Sequence, residues 1–332
     1  AGAAICRGPR NIFSRLYSSI PIGITVEGAN ILTRSLIVFG QGSLRCHPFL
    51  LTEVNAIGTN DLKTFDKAFF AHINHVVKNA VRALVHALSF SSFAAVPIKG
   101  KETKHYRRIT RLSAAFAFAA DMGLLSLGGE LKRKEYLSGR FADALAWLYI
   151  ASTTLKRSHD EGHKEDWPLV DYSLSKAEYE VENALFGVMA NLPNRLAAWM
   201  IRLIAFPLGR SYHQPTDKQL DKVVDAVMDS SSDLRDRLTS DVFIPNPDAP
   251  GLGALNNTYK EFIKASDLRK KLSTALREGK LAKDIPINMA KQAQQIGLIS
   301  DEEYSALIAI EHARDDIIQV DYYDPEDYKH LR

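Results

Sequence analysis

Cysteine is almost missing from this chain: Cys6 and Cys46 are the only two in 332 residues. Their separation fits neither a metal-ligand spacing nor a disulfide framework, so a reducing compartment is expected. An excess of one charge is missing too. Lys and Arg total 42 against 39 Asp and Glu, a formal charge of +3, and nucleic-acid binding needs a clustered basic face instead. No uninterrupted apolar run reaches the roughly 18 residues of a transmembrane helix. No basic segment followed by an apolar run opens the chain, so no signal peptide is read. Internal repeats and low-complexity segments are absent. The chain begins at Ala1 without methionine and is expected to be part of a longer gene product.

What is present is the composition of an ordinary globular protein, 46% hydrophobic and 24% charged. The periodicity is helical almost throughout. From Leu62 to Leu88 the residues Leu62, Phe65, Phe69, Ile73, Val76, Val77, Ala80, Leu84 and Leu88 recur at three- and four-residue steps. Such steps make one apolar stripe on an amphipathic helix. Further helices are predicted over about 106–126, ended by Gly128-Gly129, and over about 135–155, with Leu137, Phe141, Leu145, Leu148 and Tyr149 on one face. A loop is expected around Pro168. Helices at about 174–190, 194–206 (Pro193 near its entry) and 217–238 follow. The breaker-rich run Pro245 to Gly251 is a loop. Three shorter helices close the chain near Val320, before an acidic tail. Ile20 to Val26 passes for a strand but has no partner, so extended loop is the expectation. The fold class read here is all-α.

Chemistry concentrates in Ile24-Thr25-Val26-Glu27-Gly28-Ala29-Asn30-Ile31-Leu32-Thr33-Arg34. Glu27 before a glycine has two readings. One is a helix N-terminus, where a carboxylate complements exposed N–H groups. The other is a base whose affinity for a proton rises among Ile24, Val26 and Ile31. The local pattern leaves both open.

Other clusters are weighed the same way. His72 and His75 share a helix face, with His86 further on, but no carboxylate or cysteine completes a metal set, so solvated histidines are expected. Lys99, Lys101, Lys104, Arg107, Arg108 and Arg111 form the densest basic run. It reads as a solvated helix start, with contact to anionic lipid as the alternative. Trp199, Met200, Ile201, Leu203, Ile204 and Phe206, flanked by Arg195, Arg202 and Arg210, suit a core helix and a membrane-interface helix equally. Asp121, in an apolar helix, is expected to pair with a nearby basic residue and to be structural.

Pro21 to Pro48, ending Phe39-Gly40-Gln41-Gly42-Ser43-Leu44-Arg45-Cys46-His47-Pro48, is similar to the end of the catalytic region of bacterial long-chain acyl-CoA dehydrogenases. These are flavoenzymes of β-oxidation with a long C-terminal extension. The resemblance extends to Arg7-Gly8-Pro9-Arg10-Asn11, Leu127 to Glu135, Phe206 to Arg210 and Ala313 to Asp321, covering nearly the whole chain. It implies that Glu27 is the catalytic base and that Gly28, Ala29 and Asn30 approach FAD. Many relatives carry Thr where Ala29 stands, so a hydroxyl contact to the cofactor is absent here. Ala1 to Ala4 fall where relatives have a glycine-rich turn near the flavin of the partner subunit, and only Gly2 agrees.

The same resemblance implies a division of the chain. Residues 1–56 would complete the dehydrogenase's own helical domain, and residues 57–332 would form the bacterial extension. It implies a fatty acyl-CoA substrate, electron-transfer flavoprotein as acceptor, a homodimer, and a cytoplasmic enzyme with peripheral contact at the inner membrane. Most of the flavin pocket lies outside these residues, so this piece alone is expected to be inactive. The competing class is a non-catalytic helical module that docks on a membrane or partner.

Overall fold

The computed structural model describes residues 12–26, 32–229, 232–247, 249, 251–318 and 326. Among them no strand occurs, and the all-α reading holds. In chain order the α-helices are α1 (Ile12–Val26), α2 (Gly42–Cys46), α3 (Leu50–Gly58), α4 (Leu62–Leu88), α5 (Thr103–Leu127), α6 (Glu135–Glu161), α7 (Trp167–Asn191), α8 (Arg195–Ala205), α9 (Asp217–Met228), α10 (Leu234–Leu238), α11 (Leu252–Lys264), α12 (Ser266–Arg277), α13 (Pro286–Gln295) and α14 (Asp301–Ile318). A π-helix, Thr33–Gln41, precedes α2. The chain divides into two compact units, residues 28–229 and residues 1–27 with 230–332. Residue 56 falls inside α3.

In the 28–229 unit, α6 packs along α7 and along the π-helix, while α5 packs against α4, α6, α7 and α8. The long helices form where the apolar periodicity is longest and their ends carry the right chemistry. Asp61 accepts from the Thr64 N–H ahead of α4, and Asn194 from the Ala197 N–H ahead of α8. Thr216 and Gln219 cap α9 reciprocally. Gly162 ends α6 in the left-handed conformation, φ 69°. The core gathers Leu112, Phe118, Phe141, Leu185, Ile201 and Phe206, all fully buried. Phe39 of the π-helix stacks on Phe141 of α6 at 4.5 Å. Gly123 of α5 faces that ring so closely that a Cβ there would lie 2.8 Å from it.

Several buried charges have partners, although Arg111, 2% exposed, donates to Ser211 Oγ (3.1 Å) and makes no ion pair with any described residue. His105 and Arg108 of α5 both reach Glu178 of α7 (2.6 and 2.9 Å). Glu182 accepts from the backbone N–H groups of Ser211 and Tyr212 (2.9–3.1 Å). Burial pushes the Glu182 carboxyl up, and those N–H groups pull it back in part. α5 is long and apolar enough to cross a membrane by length and composition alone. Its buried His105, Arg111 and Asp121 are all tied to neighbouring segments, as suits a core helix.

Several local expectations change. Ile20–Val26 belongs to helix α1, which carries Pro21 inside it; a short apolar run reads the same in either state. The loop expected at Pro168 is the first turn of α7, where proline's missing N–H costs nothing. The 217–238 stretch is two helices, α9 and α10, and four helices rather than three follow residue 251. The largest change concerns α4. Of its apolar stripe, Leu62, Phe69, Ile73, Val77 and Leu88 are exposed and Phe65, Val76, Ala80 and Leu84 are half-buried, Val76 and Ala80 against the core, while Ala68, His72, Asn79, Ala83 and Ala87 face the protein.

The other unit has a small core of Ala275, Leu281, Ala290, Ala293, Ile299 and Leu307, with α14 packed on α11 and α13. Glu311 is buried there between Arg314 (2.6 Å) and Arg269 (3.2 Å).

Candidate functional site

A groove of about 780 Å³ opens within the 28–229 unit. A line of small and apolar side chains on α5 (Ser113, Phe116, Ala117, Ala120, Leu124) forms one wall, and Leu145, Leu148, Tyr149 and Ser152 of α6 form another. The small residues recur every three or four positions on one helix face, and they leave space where larger ones would close it. The end nearest α4 is polar and collects His47, His75, Asn79, Arg82 and Asp121, with Cys46 beside them.

These polar groups are wired in a definite order. The backbone N–H groups of Phe49 and Leu50 donate to His47 Nδ1 (3.3 and 3.2 Å). With Nδ1 accepting, the hydrogen sits on His47 Nε2, which faces Asp121 Oδ1 at 3.2 Å. Asn79 Nδ2 donates one hydrogen to Asp121 Oδ2 (3.0 Å) and the other to His75 Nε2 (2.9 Å). That leaves the hydrogen of neutral His75 on Nδ1. Burial holds the His75 imidazole below its ordinary pKa; Asp121 opposes this, and His47, His72 and Arg82 add to it. Arg82 itself is exposed and makes no ion pair or hydrogen bond with any described residue.

The ligand atoms of His47, His75 and Asp121 lie within 4.8 Å of one another, close enough to suggest a metal site. The hydrogen-bond order argues for another role. A metal on His47 Nε2 would displace its hydrogen while Nδ1 still faces two N–H groups, and the ring would have to be an imidazolate. The trio is better described as a buried polar network that orients His75. Beside it, His72 lies 4% exposed against Glu53 (3.0 Å), so it is not the solvated histidine expected from sequence. Asp121 is paired with an imidazole and an amide rather than with Lys or Arg.

The residues singled out by sequence resemblance, Glu27, Gly2, Gly28, Ala29 and Asn30, lie outside the described residues. A few positions further along, Arg34 grips both oxygens of Asp143 on α6, and Ser138 donates to the Ser35 carbonyl. These contacts pin the start of the π-helix to α6. Sequence reading did not find the groove network, because His47 and Asp121 are 74 residues apart. The one signal available was an aspartate set in an alanine-rich helix.

Comparison with known families decides the kinship. The model of the bacterial-type C-terminal region of acyl-CoA dehydrogenases matches residues 44–323. The chain belongs to that family. The matched acyl-CoA dehydrogenase region takes in the whole groove wall from Cys46 onward and ends in the C-terminal unit, while the Glu27 motif precedes it. No solved structure matches the chain.

Proposed function

We propose that the protein containing this chain catalyses FAD-dependent α,β-dehydrogenation of a fatty acyl-CoA to the trans-2-enoyl-CoA in β-oxidation. The observation that carries the reading is the family match over residues 44–323 directly behind the Glu27-Gly28-Ala29-Asn30 motif. A thioester makes the neighbouring α-hydrogen only modestly acidic, so a positioned carboxylate is needed to remove it; Glu27 has that role. The β-hydrogen leaves with its electron pair, which flavin accepts when bound and no side chain can. Gly28, Ala29, Asn30 and Gly2 are the residues assigned to its neighbourhood, and residues 1–56 belong with the catalytic helical domain. Electrons pass on to electron-transfer flavoprotein, and the enzyme works as a homodimer.

The test uses the longest flavin-bound gene product that contains this chain, with and without Glu27→Gln. Long-chain acyl-CoA bleaches the parent's flavin. The variant retains its flavin and bleaches at least about a hundredfold more slowly, since acid–base groups contribute about 10²–10⁴-fold and Gln offers no substitute. Equal bleaching would reduce Glu27 to a helix-start carboxylate.

A second reading, docking on a membrane, draws on α8. Leu196, Trp199 and Leu203 stand exposed on one face, Trp199 at 60%, with Arg195 and Arg202 on the same helix. An apolar face bordered by arginine suits the headgroup region of an anionic bilayer. On this reading the protein is cytoplasmic and peripheral at the inner membrane.

A further inference from the structure

The groove in the 28–229 unit has a long apolar trough and one polar end, and neither is used by the chemistry proposed for Glu27. The trough runs along α5 from Tyr106 to Leu124. From Tyr106 to Asp121 the helix rises about 22 Å, the span of an extended chain of about 18 carbons. Its walls are mostly alanine, leucine and aromatic side chains, and the Thr110 and Ser152 hydroxyls among them donate to carbonyls of their own helices, leaving Ser113 and the two tyrosine hydroxyls as the polar atoms along it. At the polar end, His75 keeps its Nδ1–H available because Asn79 occupies Nε2. Arg82 is a cation without a partner among the described residues. Asp121 stands there too, but both its oxygens are already engaged by His47 and Asn79.

The geometry points to a binding site for a long unbranched aliphatic chain with an acyl headgroup, the head at Arg82 and His75 and the tail between α5 and α6. Two sources share this chemistry, the free fatty acid and its CoA thioester. The site extends the acyl-CoA dehydrogenase reading with a second acyl-binding surface, and it rests on that reading only for the thioester form. An aliphatic occupant follows from the mostly apolar walls. An anionic or carbonyl head follows from the His75 N–H and the Arg82 cation, two donors about 10 Å apart along α4 that both line the groove. A cationic head would have to displace Arg82 from the mouth.

Calorimetric titration of the 332-residue chain with decanoate, dodecanoate, tetradecanoate and hexadecanoate, each below its micelle concentration, tests this directly. One saturable site is expected, with affinity rising by up to about fourfold per added methylene. Ala117→Trp fills the trough and should weaken hexadecanoate binding at least tenfold while the melting temperature holds. Arg82→Gln changes an exposed, unpartnered side chain and should weaken hexadecanoate binding about fivefold. It decides the matter even if the tryptophan variant does not fold. Tighter binding of hexadecanoyl-CoA than of hexadecanoate would identify the thioester as the source, and the reverse order the free acid; either result supports the site. No saturable binding of either ligand overturns it, as do folded variants that bind as the parent does. No flavin enters these titrations, so their failure leaves the Glu27 experiment untouched, and the converse holds.

Discussion

His105 Nδ1 lies 2.6 Å from Glu178 Oε1, and both side chains are almost wholly withdrawn from water. This contact joins the first turn of α5 to the middle of α7, across the strip where the densest basic run begins. Arg108, a member of the basic run that looks solvated on sequence, reaches the same buried carboxylate.

Removing one partner of such a pair leaves the other buried without its match, a cost of about 3–5 kcal/mol. His105→Ala is expected to fall near the lower end, about 3 kcal/mol, because Arg108 still reaches Glu178 at 2.9 Å. Urea unfolding followed by tryptophan fluorescence measures it cleanly. The chain's three tryptophans, at 147, 167 and 199, all lie in the 28–229 unit. An unchanged midpoint would show that the contact contributes nothing net.

Asp171 gives a pH dependence with a definite sign. Burial pushes its carboxyl up, but hydrogen bonds from Lys104, Gln219 and His105 outweigh burial and hold it at about 2. A carboxyl lowered on folding adds stability above its unfolded pKa and loses it as pH falls through the folded one. The 28–229 unit should therefore lose stability between about pH 4 and pH 2. Asp171→Asn should flatten the curve over that window. A variant with the parent's slope there would assign the acid sensitivity to other carboxyls.

Asn79 supplies two hydrogens to two acceptors, and only an amide does this in that position. Asn79→Asp puts a second carboxylate against Asp121 and offers His75 no donor at neutral pH. We expect a loss of about 2–4 kcal/mol at pH 7, of the size that follows an unmatched buried charge. The loss should shrink at pH 5 as one carboxyl of the pair takes up a proton. A loss that is the same at both pH values would mean the amide serves packing alone.

The exposed face of α8 predicts binding to vesicles. Sedimentation with phosphatidylglycerol vesicles should retain the parent chain and release most of Trp199→Ser, and salt should weaken retention. Retention by neutral phosphatidylcholine alone, or equal retention of the variant, would remove the arginines or the tryptophan from the account.

Much of the helical framework is legible in the sequence because α4, α5, α6 and α7 are long and strongly periodic. Periodicity, however, gives a stripe and not the side on which neighbours lie. On α4 the bulkiest members of the stripe, Phe69, Ile73, Val77 and Leu88, face out, Val76 and Ala80 reach the edge of the core, and the alanine line at 68, 83 and 87 with His72 and Asn79 faces in. Small residues allow close helix approach, and on α4 that outweighs side-chain size. The groove was illegible for a different reason. Its polar end is assembled from the loop before α3, from α4 and from α5, and no spacing rule connects His47 with Asp121. Glu27 presents the reverse case, because its role comes from resemblance over a short motif and local pattern alone left it undecided.

The ring of Phe141 against Gly123 also bears on how the gene can drift. A change at either of the first two bases of a glycine codon ends in a residue with a Cβ or in a stop. At position 123 that carbon would lie 2.8 Å from a ring held by the Phe39 stack. Ring and backbone would then have to part, and overpacking of that kind costs about 1–3 kcal/mol. Codon 123 is thus free to wander only at its third base, unless position 39 or 141 changes first.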